Sequence, residues 1–323
     1  MNEDRPYPPP PPDPNLQETD PRYRRRPKTR SRDTIYMLNP ALTSDQGKTH
    51  QIPFAEFREL AALIYDNFGI SLDESKRTML AGRTWPMLDR YSFAGHRELV
   101  DAIHADATGG LLSELVNRIS TNYTSFYRED SHFNLLLDKA LPELTRRKTE
   151  LGDFDLRVWC AGCATGEEAY TLLFCLQKFF HDKYGIWKAG VLATDISAEA
   201  LAKAARGLYS RQQLKPVPPE VLLRCFDQVD DDSFEVKKQY RQEITFRRLN
   251  LVSENYPFQQ PFDIIFCRNV MIYFTHSLRV QLFANMLKWL RPEGYFFVGH
   301  TESLTGSQEG FDHVAPAVYM RRR

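Results

Sequence analysis

The sequence has no net charge to offer a polyanion: Lys and Arg together number 42, and so do Asp and Glu. That balance excludes a globally basic binder of nucleic acid or anionic lipid. No apolar run approaches the ~20 residues of a membrane-spanning helix, and the first residues lack the apolar core of a secretory signal. Cysteine is scarce: Cys160, Cys163, Cys175, Cys225 and Cys267 are odd in number and mostly sit inside apolar runs. Such a set suits reduced thiols in a cytoplasm and argues against a disulfide framework. Cys160 and Cys163 have Cys-x-x-Cys spacing, but no second pair exists to complete a zinc site. No metal is expected, and no internal repeat is visible. The expected molecule is soluble and cytosolic, without membrane insertion and without nucleic acid as a partner.

What is present divides the chain. Hydrophobic residues make up 42% of 323 and aromatics 12%, enough for a sizeable core in one large or two modest domains. Residues 1–47 are expected to form a disordered Pro- and Arg-rich tail. An unbroken proline run from Pro8 to Pro12 favours extended polyproline II. Arg22, Arg24, Arg25, Arg26, Lys28, Arg30 and Arg32 follow, a solvated cluster or alternatively a tether for an acidic partner or nucleic acid, with the solvated reading favoured. Residues 48–118 have a helical pattern: Phe54, Phe57, Leu60, Ala61 and Ile64 recur at three- and four-residue steps. Leu99, Ile103, Leu111, Leu112, Leu115 and Ile119 mark one or two further helices.

Residues 119–323 have a different texture. Short apolar runs at 156–160, 191–194, 244–249, 262–267, 295–299 and 317–320 alternate with amphipathic helices. That is the pattern of βαβ units around a parallel sheet, an α/β fold. Pro216, Pro218, Pro219 and the acidic turn Asp230–Asp232 interrupt it, marking a small insertion at about 209–243.

The strongest signal lies at the end of the first of these runs. Val158–Cys160 leads into Ala161-Gly162-Cys163-Ala164-Thr165-Gly166, and a helix with the apolar stripe Ala169, Leu172, Leu173, Leu176, Phe179 and Phe180 begins. Gly162 and Gly166 permit a sharp turn and close approach of a ligand, with Ala164 standing in the place of a middle glycine. Glu167 and Glu168 occupy the helix start, where a dinucleotide site leaves amides for a pyrophosphate. Two carboxylates there suit the cationic sulfonium and amino group of S-adenosylmethionine. Thr165-x-x-Glu168 is also a capping box, in which Glu168 serves the backbone. Asp195 ends the second run, placed for both ribose hydroxyls or, alternatively, as an N-cap for a helix near Ser197. Asn250 and Leu251 close the third run, where the amide side chain can meet an adenine edge. Asn269 and Val270 close the fourth, beside the point of transfer. That strand end lacks the Asn/Asp-Pro-Pro-Tyr motif of enzymes that methylate exocyclic amines and amides. Leu290–Gly294 is expected to stop a helix and turn into the fifth run.

Four segments together resemble the CheR chemotaxis receptor methyltransferases. They are Thr121-Asn122-Tyr123-Thr124-Ser125-Phe126-Tyr127-Arg128-Glu129, Ala164-Thr165-Gly166-Glu167-Glu168, Phe266-Cys267-Arg268-Asn269-Val270-Met271-Ile272-Tyr273-Phe274 and Gly299-His300-Thr301-Glu302. The resemblance runs from about Ile52 to the C-terminus. It implies a small all-α N-terminal domain and a Rossmann-like class I methyltransferase domain with a small β-rich insertion. It implies that Asn122, Thr124, Arg128, Gly162, Glu168, Asp195, Asn250, Leu251, Asn269 and Val270 surround S-adenosylmethionine and its product S-adenosylhomocysteine. Arg128 is then a partner for the cofactor carboxylate rather than an ion pair for Glu129 or Asp130. Arg128 and Tyr273 are the side chains nearest the reacting centre, unless Tyr273 is plain core. The partner implied is the cytoplasmic helical region of chemoreceptors. Ala169 stands where relatives often have proline. Lys76, Arg83 and Arg90 recur every seven residues on the helix that resembles the family's docking element, but Trp85-Pro86-Met87 falls where relatives often carry arginines. Pro86 is expected to kink or end that helix.

The function so implied is methyl transfer from S-adenosylmethionine to glutamate carboxylates, forming methyl esters. A carboxylate is already ionised at neutral pH, so no general base is needed, and His300 is read as structural rather than catalytic. Two alternatives remain in view: a methyltransferase of the same fold with another protein or small-molecule acceptor, and a non-catalytic cofactor-binding signalling adaptor.

Overall fold

The computed structural model describes residues 51–120, 122–302 and 310–323. The tail expected at 1–47, with its proline run and basic cluster, and Thr121 lie outside the described residues.

Helices α1 (Phe54–Phe68), α2 (Arg77–Tyr91), α3 (His96–Ala105) and α4 (Gly110–Ile119) close on their own core, which includes Phe57, Leu60, Leu80, Met87, Leu99 and Leu115. The three-and-four spacing is the cause: Phe57, Leu60 and Ile64 fall on one buried stripe of α1. Phe54 keeps the spacing but overhangs the core as the first helical residue. It is exposed, with the Arg58 guanidinium 4.6 Å from its ring centre. Pro86 does not end α2, which runs on to Tyr91. The carbonyl that Pro86 crowds and leaves without an amide belongs to Gly82. Gly82 has no side chain and open space around it, so adjustment there displaces no neighbour. Lys76 closes a 3-10 turn, Glu74–Lys76, before α2 begins. Of the expected basic face, only Arg83 and Arg90 lie on the helix.

Helix α5 (Ser131–Leu135) continues through a π turn into α6 (Leu141–Glu150). Then come β1 (Asp155–Ala161), α7 (Glu167–Phe180), β2 (Lys188–Asp195) and α8 (Ala198–Arg206). The insertion holds β3 (Leu208–Ser210), α9 (Pro219–Cys225), β4 (Phe226–Gln228), β5 (Ser233–Val236) and α10 (Lys238–Arg241). The chain returns through β6 (Ile244–Arg248), β7 (Phe262–Cys267), α11 (His276–Trp289), β8 (Leu290–Val298), β9 (Phe311–Ala315) and β10 (Val318–Arg321).

The main sheet has the order β6-β2-β1-β7-β8-β10-β9, and β3-β5-β4 form a separate antiparallel sheet. Strands β6, β2, β1, β7 and β8 are parallel, while β10 runs against both neighbours. Two covered faces explain the near-continuous apolar runs. Leu156, Val158 and Cys160 of β1 enter one core and Trp159 and Ala161 the other. The order reverses direction at β1, which makes the crevice beyond its carboxyl end the expected ligand position in such sheets.

Two strand expectations are revised. The turn expected at Leu290–Gly294 is a bulge inside β8, where the register with β7 shifts and Glu293 adopts φ 59°. Strand β9 was not visible in the apolar runs because, as an edge strand, it buries only Phe311. Among the described residues, no helix is long and apolar enough to cross a membrane.

A buried ion cluster ties α6 to β7. The Lys148 ammonium lies 2.6 Å from Asp153 and 3.2 Å from the buried Asp263, with Arg291 3.6 Å from Asp263. Burial acts to raise the Asp153 carboxyl, but Lys148 and the Asp155 amide outweigh it and bring it to about 2. Lys148→Met leaves the buried Asp263 with the Arg157 amide at 2.8 Å and Arg291 as its one remaining cation among the described residues, and is expected to lower unfolding free energy by roughly 2–4 kcal/mol at pH 7, measured by urea denaturation. The folded value of Asp153 lies below its unfolded one, so its pairing is stabilising above about pH 4. The deficit of the variant should shrink as pH falls from there toward 2.

Candidate functional site

The turn after β1 is shaped by close packing. Gly162 has φ 78°, and a Cβ added there would lie 2.3 Å from Val270 Cγ2. The β1 turn therefore seats against the end of β7 only because Gly162 has no side chain. Gly166, at φ 99°, is the N-cap of α7. Ala164, in the middle glycine's place, is held at φ 47°. Its amide donates to Asp195 Oδ2 at 2.8 Å, and the Ser197 amide donates to Asp195 Oδ1 at 2.9 Å. Asp195 thus ties the two strand ends together and does not cap α8, a task Ser197 performs by accepting from the Ala200 amide.

The capping box is likewise absent. No side chain caps α7, and Thr165 Oγ1 donates to Glu167 Oε2 instead. Glu168 turns inward. Its Oε2 meets Arg268 Nη1 at 2.8 Å and its Oε1 accepts from the Cys160 thiol at 3.3 Å. Burial pushes the Glu168 carboxyl above its ordinary value, and Arg268 and Cys160 act against that shift. Burial also raises Asp195, opposed by the amides of Ser197 and Ala164. Cys160 and Cys163 are free, buried thiols that burial pushes well up.

Arg268 also pairs with Glu129 Oε2 at 3.0 Å. Glu129, His132 and His300 bring their donor atoms within 4.8 Å of one another, a set that a transition metal can use. Here the Arg268 guanidinium already sits against the same Glu129 oxygen, so a cation's place beside that carboxylate is taken. His132 is buried and pushed down to about 4, by burial first and by the Arg268 charge next. Glu302, also buried, accepts from the amides of Asn269, Gly299 and Ile272 at 2.7, 2.8 and 3.2 Å. It staples the β7 loop to the end of β8.

These loops and the helical core enclose one cavity at the carboxyl ends of β1, β2, β6 and β7. The residues expected around the cofactor and the reacting centre line it: Asn122, Thr124, Arg128, Gly162, Glu168, Asp195, Asn250, Leu251, Asn269, Val270 and Tyr273. One of them differs in detail from the expectation. The Asn250 side chain is tied to the protein, donating to the Asn67 carbonyl at 2.8 Å and accepting from the Val252 amide at 3.3 Å. It joins the sheet to the end of α1, which leaves less of its amide for an adenine edge. Arg128 makes no ion pair with Glu129 or Asp130; its Nη1 donates to the Tyr123 carbonyl at 3.1 Å. Tyr273 is half-buried at the cavity wall, and His300 does not line it.

Sequence reasoning missed Phe68, Ile70 and Ile119, which the helical core contributes to the cavity. It also passed over Arg268, although an arginine directly after an all-apolar strand was a signal. The donor set has a definite chemistry. Two buried carboxylates and one guanidinium with no ion pair among the described residues fit a ligand that carries a cationic sulfur, an ammonium, a ribose diol and a carboxylate. They do not fit a pyrophosphate. S-adenosylmethionine is such a ligand.

Comparison with known proteins agrees with this geometry. The family model described as CheR methyltransferase, SAM binding domain, matches residues 122–320, and that described as CheR methyltransferase, all-alpha domain, matches residues 55–120. The chemotaxis protein methyltransferase of Borreliella burgdorferi is 35% identical over 266 residues, covering 82% of this chain and 94% of that protein. That of Escherichia coli is 33% identical over 268 residues, covering 82% and 90%. Chemotaxis protein methyltransferase 1 of Pseudomonas aeruginosa is 31% identical over 274 residues, covering 83% and 98%.

The packing of Gly162 against Val270 yields a test. Gly162→Ala adds both the left-handed backbone cost and a steric clash, so stability should fall by roughly 2–4 kcal/mol in urea denaturation. Val270→Ala in the same chain should restore only the steric share. A Gly162→Ala variant as stable as the parent would contradict the packing described.

Proposed function

The chain belongs to the CheR methyltransferase family, and from that premise we propose that it transfers methyl groups from S-adenosylmethionine to glutamate side chains of chemoreceptors, forming glutamate methyl esters. The observation that carries the reading is the cavity itself. It gathers the acids Glu168 and Asp195 and the guanidinium of Arg128 at the strand ends where such a nucleoside is held. Residues 48–118 are assigned to the helical domain, 119–323 to the methyltransferase domain and about 209–243 to its insertion.

Bound S-adenosylmethionine supplies a methyl group on a sulfonium, an activated leaving group. The chain supplies position and dryness. Arg128 is assigned to the cofactor carboxylate, Glu168 to the ammonium and Asp195 to the ribose hydroxyls. Asn122, Thr124, Gly162, Asn250, Leu251, Asn269 and Val270 form the surrounding wall. Tyr273, at the same wall, faces the acceptor side. Phe68, Ile70 and Ile119 add an apolar cover, which excludes water and strengthens each charged contact. No residue is needed as a base, since the acceptor carboxylate is ionised at neutral pH. Alignment and desolvation then account for the rate.

The acceptor is assigned to the cytoplasmic helical region of the receptors, and the chain itself to the cytoplasm. The basic cluster between Arg22 and Arg32 offers a contact for an acidic partner.

The test is the chemistry of the product. Purified chain, methyl-labelled S-adenosylmethionine and receptor-bearing membranes should give protein label that mild alkali releases as methanol. Arg128→Ala should slow labelling by about a hundredfold, the scale of losing reactant alignment. Label that survives alkali rules out a carboxyl ester and with it the proposal.

A further inference from the structure

Arg268 occupies an unusual position in the molecule. Its side chain has no exposed surface, yet it reaches three groups on two separate segments. Nη1 meets Glu168 Oε2 at 2.8 Å, Nη2 meets Glu129 Oε2 at 3.0 Å, and Nη2 also donates to the backbone carbonyl of Arg128. Its Nε has no hydrogen-bond partner, and Phe133 covers the guanidinium, 5.5 Å from Cζ to ring centre. Arg268 is among the residues that line the cavity, but its side chain itself is enclosed. It acts through the groups it holds.

Those groups belong to two segments, and Arg128 and Glu168 both line the cavity. Residues flanking Arg128 are in the left-handed region, Tyr127 at φ 54° and Glu129 at φ 55°. Side chains other than glycine persist there only where their surroundings hold them. The Tyr127 amide has Thr171 Oγ1 at 3.3 Å, and the carbonyl of Arg128 and the carboxylate of Glu129 have Arg268. The other anchor is Glu168, whose remaining oxygen accepts from the Cys160 thiol. One buried guanidinium thus fixes both the loop that presents Arg128 and the Glu168 carboxylate that lines the same cavity.

We propose that Arg268 is a positioning residue that sets the separation of Arg128 and Glu168, the opposite charges that grip the amino-acid end of S-adenosylmethionine. This rests on the assignment of those two residues in the proposed function. The nucleoside end is held by Asp195 and the glycine turn, which Arg268 does not touch, so the two halves of the ligand report on different parts of the protein.

The experiment compares two ligands by calorimetry on the full chain: S-adenosylhomocysteine, and 5′-methylthioadenosine, which keeps the nucleoside and sulfur but lacks the amino-acid end. The parent should prefer S-adenosylhomocysteine by about 10- to 100-fold, the scale of two charge-assisted contacts. In Arg268→Gln that preference should fall to within about threefold, while methylthioadenosine affinity changes by less than about threefold. Preference retained in the variant overturns the inference, and so does an equal loss of both ligands, the mark of a merely structural role. If Arg268→Gln does not fold, Arg268→Lys carries the test. Lysine keeps the charge without the planar fork that bridges two carboxylates, so most of the preference should still be lost, and its retention overturns the inference. Failure of the parent chain to bind S-adenosylhomocysteine is a separate result that removes the reading and the inference together.

Discussion

Buried carboxylates govern the carboxyl edge of this sheet. A charge taken out of water is costly unless hydrogen bonds and counter-charges replace what water gave. Asp195 is buried at the end of β2, Glu302 in the loop after β8 and Glu168 in the first turn of α7. Each is satisfied by a group that also fixes a loop. Asp195 takes the amide of Ala164 and so holds the turn after β1, and Glu302 takes the amide of Asn269 and so holds the turn after β7. Glu168 takes the guanidinium that follows β7. Satisfying the charges and shaping the cavity are therefore one set of interactions.

The same bonds explain where the backbone is strained. Tyr127, Glu129, Ala164 and Asn269 all adopt positive φ, and they cluster around the cavity. Each left-handed residue costs about 1–2 kcal/mol. Hydrogen bonds to charged groups contribute about 1.5–3 kcal/mol, the right size to hold Glu129, Ala164 and Asn269 in place. Strain at a binding wall is thus compatible with stability here because charged partners sit within hydrogen-bond distance of it.

Legibility in the sequence followed contact range. The glycine turn, Asp195 and the strand ends were readable because each motif is local and the parallel sheet gathers strand ends by rule. The capping alternatives at Glu168 and Asp195 gave way to tertiary contacts that no local motif shows. Arg268 lies 100 residues from Glu168 in sequence, and no spacing announces such a pair. The apolar cover from Phe68, Ile70 and Ile119 depends on how the helical core meets the sheet, joined by Asn250 to Asn67 and Arg248 to Ser113. Pro86 removes one backbone donor and crowds one carbonyl, and the rest of the helix ladder carries α2 on to Tyr91.

The central claim is that this charged, glycine-bent crevice binds S-adenosylmethionine. Calorimetric titration of the purified chain with that cofactor, repeated on Asp195→Ala, addresses it most directly. One site per chain is expected for the parent, with binding lost or weakened by more than about tenfold in the variant, as for removal of a buried charged acceptor. Absence of binding by the parent, or equal binding by both proteins, would contradict the account.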